Sequence, residues 1–357
     1  MRYIKQFDSI RAIAVILVII WHWFPRNSFI EHLHAGALGV NMFFVLSGFL
    51  ITEILLINRR KAEESITSKR RVLKSFYARR VLRIFPIYYL TILLTIILSR
   101  YLSLAISRNE ILSNITYTSN FFIYVTKSWP FSSLHFWSLA VEEQFYLAWP
   151  LILLFWPRKY LIPVMLSFIA TGLLSQLLIA DYEFGNLPTN TCLDCFGAGG
   201  LIACIVVYHP GYLSKIYRLL TISCIVGVAV LVLCGMVNFY LPSTRFIHAI
   251  ISGWLISYIL IRKEKESFVM SFLSSRLLIA IGKVSYGIYL YHLLYVYIAN
   301  KLWYRYIYDH YSSFIDKQFE PWIFTLVNFV ILYFICWLSW TFVEKPILSL
   351  KYRFEYR

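Results

Sequence analysis

Charge is what this sequence has least of. Only 15% of its 357 residues are charged against 59% apolar, and the mean hydropathy is +0.65. That balance excludes a water-soluble globule and a disordered chain. Acidic residues are the scarcer sign, 18 against 34 Lys and Arg, for a formal charge of +16. The basic residues lie in short clusters between apolar runs, which is the pattern of membrane topology rather than of a nucleic-acid face, so no nucleic-acid partner is expected. Cysteine is sparse and scattered: Cys204, Cys224, Cys234 and Cys336 sit inside apolar runs as small hydrophobes, so no disulfide framework follows. Cys192-x-x-Cys195 has no second ligand pair nearby, and no metal is expected. There is no phosphate-binding glycine loop, no repeat of fixed period, no heptad array and no low-complexity tract. The N-terminus carries few charges and has no small-residue cleavage site after Trp23, so it reads as a first span rather than a removable signal.

What remains is a succession of hydrophobic stretches, many as long as the ~20 residues a helix needs to cross a bilayer. The fold class expected is therefore all-α, a polytopic membrane bundle of about ten transmembrane helices near 10–24, 37–57, 80–99, 135–156, 161–180, 190–208, 219–236, 246–261, 278–298 and 322–343. Phe, Tyr and Trp number 28, 27 and 11, as suits side chains that collect at membrane interfaces. Ten crossings put both termini on one side, and 26 of the 34 Lys and Arg then fall in segments of that side, which marks it as cytoplasmic. The stretch 58–79 reads as a cytoplasmic basic connector, and 100–134 as an outer loop with a short interfacial or re-entrant piece. The whole of 1–357 reads as one integral-membrane domain.

In lipid the informative residues are ionisable ones within the spans, because each is costly unless paired or facing water. They are Asp8, Arg11 and His22 in the first span, Arg80 and Arg83 opening the third, Glu142 and Glu143 in the fourth, Asp194 in the sixth, and Lys283 and His292 in the ninth. His22 lies about 18 Å along its helix from Ile10 at 1.5 Å per residue, and the carboxylates of the antiparallel fourth span reach the same outer half. A His–carboxylate pair is allowed there, the arrangement a general base uses to take a proton from a hydroxyl. The alternative for His22 is a Trp-flanked interfacial histidine touching headgroups. Glu142 and Glu143 point about 100° apart, so only one of them can face the imidazole. Arg79, Arg80 and Arg83 gather at a helix start, and guanidinium forks beside free N–H groups match a phosphate-bearing ligand; positive-inside charge explains them as well. Pro86 is expected to bend or break that helix. Ser47-Gly48 is small enough for close helix packing, and Ser47 as a nucleophile would need a base that nothing local supplies. His292, flanked by Tyr286, Tyr289 and Tyr291, belongs either to a buried hydrogen-bond network or to the lining of a polar passage. Structural or surface roles are expected for His32, His34, His135, His209, His248 and His310.

Taken together, five segments resemble the acyltransferase-3 family of multipass membrane acyltransferases. They are FDSIRAIAVILVIIWH (7–22), GVNMFFVLSGFLIT (39–52), RRVLRIFP (79–86), HFWSLAVEEQFYLAWPL (135–151) and GKVSYGIYLYHLLY (282–295), in the family's order and across the whole chain. The resemblance implies a ten-helix bundle that moves an acyl group, most often acetyl, from cytoplasmic coenzyme A to a hydroxyl of a surface or lipid-linked carbohydrate. Carried over residue by residue, it implies His22 as the catalytic base and Arg80 and Arg83 near the coenzyme A phosphates. Glu142, or else Glu143, would support His22 or the acceptor, and Asp8 and Arg11 would pair at the inner face. Trp137, Ser138 and Tyr146 are then the candidate oxyanion donors. Where the family often carries an arginine before Asp194, this chain has Cys192, which puts an ionic role there in doubt. No SGNH-type domain is expected after the tenth span.

Acyl-CoA would be a donor substrate rather than a tightly bound cofactor, and the other partners would be the glycan and membrane lipids. The location implied is a bacterial inner membrane. The acceptors compatible with this reading are O-antigen, exopolysaccharide, peptidoglycan, a lipid-linked sugar and a small antibiotic. Two other functions use the same residues: a proton-coupled transporter or flippase with a His/Glu/Arg relay, and a receptor or scaffold whose basic loop binds anionic lipid.

Overall fold

The computed structural model describes residues 3–24, 35–102, 105–130, 133–179, 181, 183–236, 241, 244–263, 265–303 and 320–356. His32, His34 and His310 lie outside them. Among the described residues nine helices are long and apolar enough to cross a membrane, or ten if one bent pair counts as a single span. The helices are α1 (Gln6–Trp23), α2 (Ala35–Glu63), α3 (Lys69–Leu102), α4 (Arg108–Ile115), α5 (Ser119–Thr126), α6 (Phe136–Phe155), α7 (Leu161–Leu178) and α8 (Leu193–Tyr208). They continue as α9 (Leu213–Met236), α10 (Thr244–Arg262), α11 (Phe268–Leu273), α12 (Arg276–Lys283), α13 (Ser285–Trp303), α14 (Glu320–Ser339) and α15 (Lys345–Ser349).

Burial sorts these helices into centre and periphery. The most apolar stretch of α2 is 72% buried, whereas that of α9 is 6% buried and presents its leucines and valines outward. Helix α2 is therefore the axis, with α1, α6, α8 and α10 against it. An aromatic column, Phe44–Phe196–Phe145–Trp149, joins α2, α8 and α6 through ring centroids 5.0, 4.1 and 5.4 Å apart. Small residues permit this contact: a Cβ on Gly199 would stand 2.1 Å from the Val45 carbonyl oxygen, and one on Gly48 2.5 Å from that of Phe196. Both chain ends reach the same end of the bundle. Gly282 packs on the Asp8 carbonyl of α1, and Arg79 of α3 donates to the Phe354 carbonyl, 3.3 Å.

Four expectations change in detail. The basic connector of 58–79 is largely helical, because α2 continues to Glu63 and α3 begins at Lys69, leaving only 64–68 between them. Helix α3 runs through Pro86 without a break. The expected span 278–298 is instead α12 and α13, bent by 70°. The stretch 100–134 contains α4 and α5, whose inner faces pack into the bundle: Tyr88 donates to the Asn114 carbonyl (2.7 Å), and Gln144 to the Tyr117 carbonyl (2.8 Å) and to Asn120 (3.0 Å). After α14 the chain makes one π-helical turn, Trp340–Glu344, which buries Glu344.

Candidate active site

Side chains recurring every three to four residues on separate helices converge on one cavity of about 230 Å³. Helix α2 contributes Val40, Phe43, Phe44, Ser47 and Leu50; α6 contributes Ser138, Glu142 and Tyr146, each one turn apart. Arg80 and Arg83 from α3 and Arg11 from α1 line it toward the end where the termini lie, and Tyr286 and Tyr289 line it from α13. Arg11 is paired with Asp8 at 2.6 Å, and Tyr3 also bonds that carboxylate. Among the described residues neither Arg80 nor Arg83 forms an ion pair. Arg80 lies over the rings of Tyr146 and Phe76, 5.0 and 5.5 Å from their centroids. Lys351, returning from the C-terminal segment, is near enough to feel the charges of Arg79, Arg80 and Arg83. Glu142, Glu143 and Glu344 are within electrostatic reach of these arginines but bond neither of them. Cations gathered with no directly bonded carboxylate in a poorly solvated place favour an anionic ligand.

Deeper in the cavity is a polar cluster. Ser47 donates its hydroxyl to Glu142 Oε1 at 2.7 Å, and Tyr146 donates to Ser47 Oγ at 3.0 Å. Further along, the hydroxyls of Ser138 and Tyr289 are 2.5 Å apart. Behind Tyr289 stand three histidines. His292 Nδ1 is 2.7 Å from the Tyr289 carbonyl, so it carries the proton, and its Nε2 then accepts from His22 Nδ1 at 3.2 Å. His22 Nδ1 also lies 2.9 Å from the Val18 carbonyl. Both bonds make Nδ1 the protonated nitrogen and leave Nε2 of His22 with its lone pair. His135 packs edge-on to His292, centroids 4.8 Å apart, with its Nε2 3.1 Å from the Leu290 carbonyl.

The acyltransferase-3 family profile, described as an acyltransferase domain, matches residues 4–341. The chain belongs to that family. O-acetyltransferase OatA of Staphylococcus aureus strain NCTC 8325 / PS 47 is 29% identical over 373 residues, covering 97% of this chain and 57% of OatA. Putative O-acetyltransferase SACOL0978 of Staphylococcus aureus strain COL is 27% identical over 378 residues, with the same coverage. The chain thus spans just over half the length of these relatives. No solved structure matches it. The long apolar helices together with bacterial relatives make this acyltransferase-3 chain an integral, multipass bacterial membrane protein.

Within the acyltransferase-3 bundle, residues singled out from the sequence separate into groups. Arg11, Ser47, Arg80, Arg83, Ser138, Glu142, Tyr146 and Tyr286 share the cavity. His22 does not line it and is not paired with a carboxylate; its side-chain partner is His292, because Glu142 is turned to Ser47. Glu143, a third of a turn on, points away, and its buried Oε1 has no partner. Arg79 reaches the Phe354 carbonyl and the ring of Tyr356 rather than the cavity. Trp137 packs edge-on to Phe44, centroids 6.2 Å apart, outside the lining. Lys283 is exposed, as is His209, whereas His248 is buried beside Asn41 at 3.0 Å. Asp194 is buried elsewhere, accepting from Gln176 at 2.9 Å. Arg245 of α10 is near enough to act on the Asp194 charge but donates to Cys192 Sγ (2.7 Å) and the Asn186 carbonyl (2.7 Å) rather than to Asp194. Among the described residues no three His, Cys, Asp or Glu are grouped to hold a metal. Sequence reasoning gave His135 a structural or surface role, named Tyr289 only as a neighbour of His292, and did not single out Arg245 or Lys351. The signal for the first two was their place within the HFWSLAVEE and YGIYLYH segments; Arg245 and Lys351 are brought in only by tertiary packing.

Proposed function

We propose that this protein transfers an acetyl group from cytoplasmic acetyl-CoA to a hydroxyl of a surface or lipid-linked carbohydrate. The observation that carries this reading is the single cavity with unpaired arginines near one end and a hydroxyl–carboxylate cluster farther in. Arg80 and Arg83, with Lys351 beside them, hold the phosphates of the donor at the cytoplasmic face. The nucleotide is too large for about 230 Å³ and stays at this basic mouth, while the thioester end of the pantetheine arm enters. His22, half-buried near the other end of α1, is the base for the acceptor. Its Nε2 is available because His292 and the Val18 carbonyl engage Nδ1. Since His22 stands behind Tyr289 and not on the cavity wall, this reading requires the acceptor hydroxyl to reach in from the His22 side, giving its proton to Nε2 as its oxygen attacks the acyl carbonyl.

The test uses purified protein in lipid nanodiscs with radiolabelled acetyl-CoA and a panel of chitooligosaccharides, de-O-acetylated peptidoglycan and de-O-acetylated exopolysaccharide. Free coenzyme A together with an alkali-labile acetyl ester on one of these glycans is expected, and His22→Ala should lose the ester. Full transfer by that variant would reject His22 as the base. Passage of the glycan or acetyl-CoA across vesicles with no ester formed would point to the transporter instead.

A further inference from the structure

We infer that Ser47 carries the acyl group as a covalent intermediate, with Glu142 as the base that activates it; this rests on the acyl-CoA donor proposed above. The starting point is how differently Ser47 is bonded from other hydroxyls of these helices. Thr91, Thr95 and Ser252 each donate to the carbonyl four residues back in their own helix, at 2.7, 2.8 and 2.7 Å, which is what a hydroxyl in an apolar helix ordinarily does. Ser47 donates instead to a carboxylate on another helix, Glu142 of α6. A buried carboxylate costs several kcal/mol of desolvation, so a helix contact alone is a poor reason to keep one at this position. The base that the sequence around Ser47 lacks thus comes from across the bundle, at 2.7 Å. Tyr146 occupies a second site on the same oxygen at 3.0 Å and fixes its direction, and both Ser47 and Glu142 line the cavity into which Arg80 and Arg83 project. Nucleophile, base and orienting group are the three parts of an activated hydroxyl.

In the first half-reaction the Ser47 proton passes to Glu142 as Oγ bonds to the thioester carbonyl carbon. The C–S bond breaks, and the coenzyme A sulfur leaves with the proton from Glu142. With the Tyr146 proton committed to Ser47 Oγ, the two guanidiniums are the donors at hand for the carbonyl oxygen while it bears negative charge. In the second half the acceptor oxygen attacks the Ser47 ester and gives its proton to His22, the acceptor base proposed above. The bond from the acyl carbon to Oγ breaks, Oγ takes up one proton from solvent, and His22 releases the one it accepted, so the protein returns to its starting state. Ser47 is 12 residues into α2, about 18 Å from Ala35. An acyl group held there need not be received and delivered in one ternary complex, so a donor from one face and an acceptor from the other can bind in turn.

The experiment needs no knowledge of the acceptor. Wild-type protein is incubated with acetyl-CoA and isotopically labelled free coenzyme A, and exchange of label into acetyl-CoA is followed; in parallel, acid-quenched protein is digested and the peptide containing Ser47 is weighed. Exchange and one acetyl group on Ser47 are expected. Ser47→Ala should abolish exchange, and Glu142→Gln should slow it at least about a hundredfold, the usual loss when a general base is removed. Ser47→Cys should trap an adduct that neutral hydroxylamine releases. Glycan acetylation by wild-type protein with no exchange and no acetyl on Ser47 would overturn this inference and leave the proposed function intact, as would label found on a different residue. Failure of wild-type protein to handle acetyl-CoA at all, by exchange or by transfer, would overturn both.

Discussion

At the scale of single residues, adjacent arginines do different work. Arg79 is spent on the C-terminal segment, bonding the Phe354 carbonyl and covering Tyr356, while Arg80 and Arg83 line the cavity. If the latter two grip phosphate, each charge-assisted contact is worth about 1.5–3 kcal/mol, or roughly ten- to a hundredfold in affinity. Arg83→Ala should therefore raise the KM for acetyl-CoA by about that factor, whereas Arg79→Ala should leave it nearly unchanged. Initial rates at varied acetyl-CoA check this, and an unchanged KM for Arg83→Ala and Arg80→Ala alike would remove the donor site. The residue types of the site were readable in the sequence because ionisable groups stand out in apolar runs. Their partners were not. Nothing in the order of the chain tells that Glu142 turns to Ser47 while His22 turns to His292, since each pair spans separate helices and is decided by helix rotation.

At the scale of elements, close backbone approach sets what the bundle tolerates. A Cβ on Gly282 would fall 1.9 Å from the Asp8 carbonyl oxygen, and α12 and α1 would have to separate to admit it. Asp8 is the partner of Arg11, so the displacement reaches the cavity. Gly282→Ala is expected to lower the melting temperature in detergent and to reduce acyl transfer, whereas Gly211→Ala, with nothing within 4 Å, should do neither. Equal melting temperatures for the two variants would contradict this packing.

A second element carries a pH dependence. Glu110 of α4 accepts from Ser133 at 2.6 Å, just before α6, and burial pushes its carboxyl above the ordinary glutamate range. A carboxyl whose value is raised on folding favours the folded arrangement while protonated. That support is present below the unfolded value of about 4.3 and is lost as pH rises through the folded one. Hydrogen exchange over 108–126, corrected for intrinsic rates, should be faster at about pH 8 than at about pH 5, and Glu110→Gln should remove the difference. The α4–α5 segment was the least legible part of the sequence, because its alternating aromatic and polar residues match neither an apolar span nor a simple loop. Most long spans were legible to within a few residues, since hydropathy alone sets them. However, α3 begins eleven residues before the expected 80, α2 runs six residues beyond its expected end and α9 begins six residues before its expected start, because their charged extensions are helical too. The break between α12 and α13 was not, because continuous apolarity hides a 70° bend.

For the whole molecule, the decisive property is which way the cavity's cations face. The segment 64–68 and the C-terminal segment lie at the end where Arg80 and Arg83 approach the cavity, since Ser75 and Arg79 near the start of α3 bond the Glu355 and Phe354 carbonyls. Helix α3 has 34 residues, about 50 Å, so residues 105–107 must emerge at the opposite end. Positive-inside charge predicts that the first end is cytoplasmic, where coenzyme A would meet the arginines. A site for a specific protease inserted at 65–66 should accordingly be cut in inverted membrane vesicles and protected in spheroplasts, with the reverse for a site at 106–107. Cutting of both from one face would contradict the passage of α3 through the membrane. Opposite-face cutting in the reversed sense would present the arginines to the outside, away from coenzyme A, and the donor assignment would fall with the orientation.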